Sequence, residues 1–340
     1  MDFSNVKNWT IPEGNVYRVV DSNNRVIWER SGYFYMEDTS GNTNTLSIIK
    51  SNANAPTIEV FVSTNTVDWV SIGSTSTTAI TATIPANGKL YIKAEAVRWG
   101  IHNSSYYWNT ITASGAHNIG GNIMSLLYGD DYLTKFEVGK WVFRSLFSGN
   151  TTLVNAENLL LPATTLGSDC YANMFRNCTS LITAPATLPA TRTAQECYYY
   201  MFYNCTALTK APNILGTVLA LGCFQSMFQG CTALTQAPEL PATRLNTVCY
   251  GNMFNGCTSL TTAPELPATT LVEQCYAGMF SGCSSLNSVT TYATNISATN
   301  CLNVWLNGVS ATGDFYNLGG ATYTSGASGI PEGWTEHNTL

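Results

Sequence analysis

Charged residues are scarce in this 340-residue sequence. Charged side chains make up 11% of it, well below the roughly 25% that is typical of soluble globular chains. The net charge is −6, and the fifteen Lys and Arg residues are scattered. Nucleic-acid binding needs clustered basic residues that displace counterions from phosphate. No apolar run approaches the ~18 residues of a membrane span, so we predict neither a nucleic-acid nor a membrane partner.

The residue patterns of catalysis are also scarce. The histidines are His102, His117 and His337, and none of them lies in a nucleophile motif. The sequence contains no G-x-S-x-G element and no glycine-rich phosphate loop with Lys. We therefore predict that the chain is not an enzyme, that it has no catalytic or cofactor-binding residues, and that it needs no cofactor.

Two glutamates deserve separate treatment because they fall at the same position of neighbouring repeats. Glu239 and Glu265 would stack about 5 Å apart, a separation similar to that of paired glycosidase carboxylates. The equivalent positions hold Ala186 and Asn213. We therefore interpret this as a solvated position whose side chain varies from repeat to repeat.

The first residues do not resemble a secretory signal. They read Met1-Asp2-Phe3-Ser4-Asn5, without a basic region, an apolar region and a small-residue cleavage site. We therefore expect a protein made in a reducing cytoplasm.

A repeat dominates the second half of the sequence. Ten of the eleven cysteines form five pairs eight residues apart, and Cys301 stands at the first position of a sixth unit. The first cysteine of each unit advances by 27 residues once and then by 26. Met-Phe, Ala-Pro and Leu-Pro-Ala-Thr recur in the same phase. One unit runs from Cys170 to Leu181 and returns almost unchanged from Cys249 to Leu260. Leu-Pro-Ala-Thr is lost at residues 214–217, and the pattern decays at both ends, as expected of capping repeats.

Each unit has a physical interpretation. Cys-Tyr-x-x-Met-Phe places apolar residues at i, i+4 and i+5, which predicts one face of a short helix. Thr-x-Leu-x-x-Ala-Pro predicts a short strand that ends at the proline. One coil cannot bury its Leu, Met and Phe alone, so coils should stack with their strands parallel. We expect Leu208, Leu234, Leu260 and Leu286 to form one buried row.

The cysteines allow several interpretations. Two thiols eight residues apart on a helix are ~12 Å apart, too far for a disulfide, and C-x7-C does not match zinc sites. Equivalent cysteines of neighbouring coils lie within bridging distance, so inter-coil disulfides stay open. Because Cys packs well as a small apolar residue, we favour rows of buried free thiols and predict no metal site.

These motifs resemble the BspA-type leucine-rich-repeat surface proteins of gut Bacteroides-like bacteria and their phages. The resemblance covers about residues 121–335. It implies an α+β protein in which an N-terminal Ig-like β-sandwich precedes a leucine-rich-repeat solenoid. The solenoid would have 26-residue coils, short parallel strands, short helices and degenerate caps.

The N-terminal third divides into three parts. Residues 1–31 contain a predicted hairpin with an Asp-Ser-Asn-Asn turn, similar to the start of structural proteins from phages of those bacteria. Residues 32–98 alternate like strands and resemble the Ig-like module that precedes the repeats. Residues 99–120, rich in Asn, Ser and Tyr, are expected to be a linker.

The resemblance implies adhesion, and two carriers remain open. We favour a phage virion protein, a head or tail fibre or decoration protein, located in the virion. Residues 1–31 would anchor it to other virion proteins, and the repeats would bind host glycans or surface proteins. A homo-oligomer is plausible, a trimer by analogy with fibres. The alternative is a BspA-like adhesin on a bacterial cell surface.

One coil carries an excess of aromatic residues. Tyr198, Tyr199, Tyr200 and Tyr203 occur together. Aromatic faces can stack on sugars, although packing within the repeat is the default interpretation.

Overall fold

The computed structural model describes residues 18–20, 26–29, 32–96, 99–102 and 106–339. These residues are rich in strands and contain few helices. Residues 32–122, here called the β region, and residues 137–337, the repeat region, contribute side chains to one continuous buried cluster. None of the described helices has the length and apolar character needed to cross a bilayer.

The strands that precede the repeats are short and mostly antiparallel. They are β1 (Arg18–Val20), β2 (Val26–Glu29), β3 (Tyr35–Asp38), β4 (Asn44–Lys50), β5 (Glu59–Ser63), β6 (Val70–Ser74), β7 (Ile80–Ile84), β8 (Lys89–Ala94), β9 (Gly100–His102), β10 (Tyr106–Ala113) and β11 (His117–Asn122). Strands β1 and β2 pair with Arg18 opposite Glu29, which confirms the predicted hairpin. Its turn and the rest of segment 1–31 lie outside the described residues.

The β region contains two sheets. One has the strand order β7-β4-β10-β9, and the other joins β11, β3, β8, β5 and β6. Alternating residues of β8 are buried, namely Leu90, Ile92 and Ala94. This alternation is what a strand with one covered face requires, and the sequence predicted it for residues 32–98. The Ig-like assignment itself stays a prediction.

The expected linker at residues 99–120 is wrong. This segment contains β9, β10 and most of β11, and β10 lies between β4 and β9 inside a sheet. Trp99, Ile111 and Ile119 are buried in the core. Its Asn and Ser suggested a linker, but the alternating apolar residues and the aromatic and β-branched side chains favour strands.

The β region continues directly into the repeats. Strand β11 pairs in parallel with β13 (Leu153–Leu160), which belongs to the first coil. The backbone N–H of Ile111 donates to the carbonyl of Leu146, and that of Trp99 donates to the carbonyl of Val142, each at 2.8 Å. The β region therefore covers the open end of the stack, where a first coil would otherwise expose its backbone groups.

Helix α1 (Ser125–Tyr128) and a 3₁₀ helix (Gly129–Thr134) precede the coils. The remaining strands are β12 (Glu137–Val138), β14 (Thr165–Leu166), β15 (Thr187–Leu188), β16 (Asn213–Ile214), β17 (Ser288–Thr291), β18 (Gly313–Asn317) and β19 (Trp334–His337). Neighbouring coils pair in parallel, as in β15 with β16 and β17 with β18, which confirms the expectation of short parallel strands.

The expectation of a short helix in each coil is wrong, because the described Cys-Tyr-x-x-Met-Phe segments form successive turns. Every fourth residue has a left-handed backbone, as at Asn173 (φ 57°) and Asn177 (φ 60°), which no right-handed helix contains. The backbone N–H groups of successive residues alternate: one donates to a carbonyl within its own turn, and the next donates to a carbonyl of the following coil. Ala172 donates to the Asp169 carbonyl at 3.2 Å, whereas Asn173 donates to the Tyr199 carbonyl at 2.8 Å.

Candidate binding surfaces on the repeat region

The interior of the repeat region is built from columns of equivalent side chains. Phe175, Phe202, Phe228, Phe254 and Phe280 stack with ring centroids 5.2–5.6 Å apart. A second aromatic column contains Tyr171, Tyr198, Phe224, Tyr250, Tyr276 and Trp305. The predicted burial of the equivalent leucines is confirmed, since Leu208, Leu234, Leu260 and Leu286 are all 0% exposed. These columns fix the framework and leave the outward positions free to vary.

The cysteines belong to this framework. All eleven are free and buried, as predicted. The second cysteine of each unit donates its thiol hydrogen to a phenylalanine carbonyl of the preceding coil; Cys231 does so to Phe202 at 3.1 Å. Burial raises the pKa of Cys231 to about 12. A thiol held in this form is a poor nucleophile and a poor metal ligand, and the described residues contain no group of three metal-binding side chains.

One outward surface follows the Ala-Pro turns and is here called the proline groove. It consists of two adjoining depressions, one of ≈ 270 Å³ between Ala186 and Glu239 and one of ≈ 490 Å³ between Ala237 and Pro267. The variable positions Ala186, Asn213, Glu239 and Glu265 are all exposed and all line it. The two glutamates therefore lie in an open groove that faces solvent.

A second outward surface is the tyrosine cluster, formed by Tyr199, Tyr200 and Tyr203. The centroid of Tyr200 lies 4.1 Å from that of Tyr199 and 4.9 Å from that of Tyr203. All three side chains are partly exposed. Burial and a hydrogen bond with Tyr200 raise the pKa of Tyr199. By contrast, Tyr198 of the same sequence run is buried in the second aromatic column.

Beside the tyrosine cluster lies a cleft of ≈ 290 Å³, here called the arginine cleft. Its lining residues are Trp108, Arg144, Ser145, Ser148, Asn173, Arg176 and Asn177. Arg144 is buried and forms an ion pair with Asp169. The exposed guanidinium of Arg176 lies 5.7 Å from the ring centroid of Tyr200 and 5.1 Å from that of Tyr203, so it joins the cleft to the cluster.

Comparison with known families decides what kind of chain this is. A family model described as BspA type Leucine rich repeat region matches residues 155–287 and 198–324, with six copies. The two matches together cover residues 155–324, half of the 340 residues. The chain belongs to the BspA-type leucine-rich-repeat family. No curated protein and no solved structure matches it.

Membership in the BspA-type family sets the general class of function. Its repeats are surface-adhesion and protein-interaction repeats, and they are typically non-enzymatic scaffolds. The geometry of the outward surfaces agrees with that class, because both surfaces are open. The proline groove is lined by polar, proline and alanine side chains, and the arginine cleft by polar side chains and Trp108.

The sequence pointed to two of these three surfaces of the BspA-type chain, the proline groove and the tyrosine cluster, but not to the arginine cleft. The groove positions were singled out as variable positions of the repeat. The tyrosines were singled out as one cluster of four that included Tyr198, with packing as the default interpretation, and Tyr198 alone is buried. The arginine cleft was missed because Trp108 fell in the supposed linker. A signal was nevertheless present. Arg144 and Arg176 stand at positions where other coils carry Ala, Gly, Asn, Ser, Gln or Tyr.

Proposed function

We propose that the chain is an adhesion protein that binds a glycan or a protein on a host cell through the outward surfaces of its repeats. The observation that carries the proposal is the separation of a constant interior from a variable exterior. The interior columns repeat the same or similar apolar residues, whereas the equivalent groove positions hold Ala186, Asn213, Glu239 and Glu265. Stacked coils tolerate such changes because each coil contacts only its neighbours.

Within this proposal, the adhesin is a structural protein of a phage virion. Segment 1–31 attaches it to other virion proteins. Two observations support this carrier: the similarity of that segment to the start of phage structural proteins, and the β1–β2 hairpin, which is marginal in water unless it docks on something. A bacterial cell-surface adhesin is equally consistent with the family. Antibody labelling of purified particles and of bacterial cells separates the two carriers.

The binding role is tested with the full chain, labelled and applied to Bacteroides-like gut bacteria. We expect saturable binding that falls in Glu239→Arg/Glu265→Arg, which alters the proline groove, or in Tyr200→Ala, which alters the tyrosine cluster. Thr258→Arg is a matched control, because Thr258 is exposed but lines neither surface. Absence of saturable binding, or equal binding by all variants, contradicts the proposal.

The anchoring role has its own test. Deleting residues 1–31 should leave the binding to cells unchanged and prevent incorporation into particles. Normal incorporation of the shortened chain contradicts the anchor. Light scattering on the full chain and on the shortened chain measures the oligomeric state, for which a trimer is the first expectation.

A further inference from the structure

We propose that the arginine cleft is a binding site for a carboxylated sugar of an acidic glycan. Arg176 contacts the carboxylate, and the tyrosine cluster supports the adjoining sugar. This inference rests on the proposed adhesion function and names the ligand class of one of its surfaces.

The charge of the cleft favours an anion. Arg144 is paired with Asp169, whereas Arg176 forms no ion pair within the described part of the chain. Glu196, the acidic residue nearest in sequence to the tyrosine cluster, does not line the cleft. The cleft therefore presents one uncompensated positive charge on a protein whose net charge is −6. A guanidinium binds a carboxylate through two parallel hydrogen bonds, which gives both strength and orientation.

The polar lining of the cleft matches sugar hydroxyls. Ser145, Ser148 and Asn177 supply hydroxyl and amide groups. Asn173 is only 5% exposed, and its Oδ1 has no hydrogen-bond donor among the described residues. A buried acceptor without a donor is unfavourable, and a sugar hydroxyl that enters the cleft relieves this by donating to the amide.

The size of the cleft limits what it accepts. Its volume of ≈ 290 Å³ is at the lower end of the range of about 300–1,000 Å³ found for ligand pockets. That space suits one sugar ring. The rest of a glycan chain extends over the neighbouring tyrosine cluster, whose rings offer apolar faces to the C–H surface of a sugar.

The repeat does not require these tyrosines. The positions equivalent to Tyr199 hold Ala172, Gln225, Gly251 and Ala277, and those coils stack in the same way.

An acidic peptide would also meet Arg176, but the surroundings favour a glycan. Trp108 and Arg176 are flanked by serine and asparagine side chains. A peptide with several acidic residues would find a single available positive charge. A carboxylated oligosaccharide needs one such charge and many neutral hydrogen-bond partners.

The experiment measures binding of two pairs of oligosaccharides to the full chain by calorimetry. The pairs are oligogalacturonate with its methyl ester, and sialyllactose with lactose. Arg176→Gln removes the charge and keeps a polar side chain at an exposed position. Asn255→Ala is the matched control, because Asn255 occupies the position of Arg176 in another coil.

We expect at least one carboxylated oligosaccharide to bind saturably and its neutral partner to bind at least about 10-fold more weakly. Arg176→Gln should weaken the binding of the acid by about 10-fold or more, the usual value of a charged hydrogen bond, and Asn255→Ala should leave it unchanged. No binding of either acid, equal binding of acid and neutral partner, or equal losses in both variants overturns the inference.

The same variants on host cells separate this inference from the adhesion function. If the full chain binds cells and Arg176→Gln binds them equally well, the glycan inference is wrong and adhesion stands. If binding depends on Arg176 but is abolished by protease and unaffected by periodate, the ligand is an acidic protein and the glycan inference is wrong. If the chain binds no cells, the adhesion proposal fails whatever the oligosaccharides show.

Discussion

The β region and the repeat region satisfy their backbone groups in different ways. In the β region, β4 pairs with β7 and β10, antiparallel strands of unrelated sequence. In the turns of the repeat region, alternate backbone N–H groups donate to the residue just before their own equivalent in the next coil, as Asn173 to Tyr199 or Tyr171 to Cys197. A core residue of the β region therefore has an environment that occurs once in the molecule. A core residue of the repeat region has the same kind of neighbours as its equivalents in the other coils. The two regions should respond differently to substitution, and they meet at a junction that belongs to neither pattern.

The largest effect is expected within a column. Phe228 stacks between Phe202 and Phe254, with both centroid distances 5.6 Å. Phe228→Ala removes contacts on both sides and should lower the free energy of unfolding by about 3–5 kcal/mol. The measurement is urea denaturation followed by circular dichroism. Gln229→Ala, at the next and outward-facing position, should change the free energy by less than about 0.5 kcal/mol. Equal values for the two variants would refute the column as the source of stability.

The junction between the β region and the first coil provides the next test. Asn150 replaces the repeat cysteine there, and its Nδ2 lies 3.2 Å from His117 Nε2 and 3.4 Å from the Ile111 carbonyl. Asn150→Ala leaves the buried His117 nitrogen without a donor and should cost about 1–3 kcal/mol. Asn150→Cys restores the repeat consensus but replaces the amide donor by a weak thiol donor, so it should be destabilising as well. A stable Asn150→Cys protein would show that the junction follows the repeat rule.

A smaller effect is expected for the thiol columns. Cys231→Ser places a hydroxyl in an apolar slot, but the hydroxyl keeps the Phe202 carbonyl as an acceptor. We therefore expect a loss of about 1 kcal/mol, the low end of the range for buried polar groups. Thiol labelling checks the same interpretation. Labelling should be slow when the protein is folded, and the number of labelled cysteines should approach eleven when the protein is denatured without reductant. Inter-coil disulfides in a native mass spectrum would contradict it.

The smallest expected effect depends on pH and again concerns the junction. Burial lowers the pKa of His117 below its usual 6.5. In its neutral form, Nδ1 donates to the Gly115 carbonyl at 2.9 Å. The unfolded chain takes up a proton near pH 6.5 and the folded chain only at lower pH. Stability is therefore fully present above pH 6.5 and decreases as the pH falls below it.

Denaturation at pH 7.5 and pH 5.5 tests this point. The loss of stability between the two pH values should be smaller in His117→Gln than in the unmodified chain. Asp38, whose pKa is lowered to about 2 mainly by a hydrogen bond with Ser40, titrates outside that window. The same loss in both proteins would assign the pH dependence to other groups.

The repeat region was more predictable from the sequence than the β region, and the reason is physical. A 26-residue period requires equivalent residues to touch, so the leucine row and the thiol columns followed from spacing alone. The conformation within a coil did not follow, because apolar residues at i, i+4 and i+5 also suit a run of turns with a left-handed residue at every fourth position, which Asn and Gly favour but do not always occupy. The sequence contained that second signal at Asn173, Asn177 and Gly230, each with a left-handed backbone.

The β region offered no such internal check. The alternation of residues 32–98 was enough to predict strands, but polar composition concealed β10 and β11. The arginine cleft was hidden for the same reason, since it brings together Trp108 from the β region with Arg144 and Arg176 from different coils. A site assembled from segments so distant in sequence has no local motif.

The direct pairing of each coil with the next coil has a consequence for the length of the protein. A further 26-residue unit inserted between the β region and the last coils would meet the same columns on both sides and create no new kind of contact. The C-terminal strands β18 and β19 would then move outward by about 5 Å, one strand spacing. Duplication or loss of a unit therefore changes how far the end of the molecule extends, in steps of constant size, without redesign of its interior.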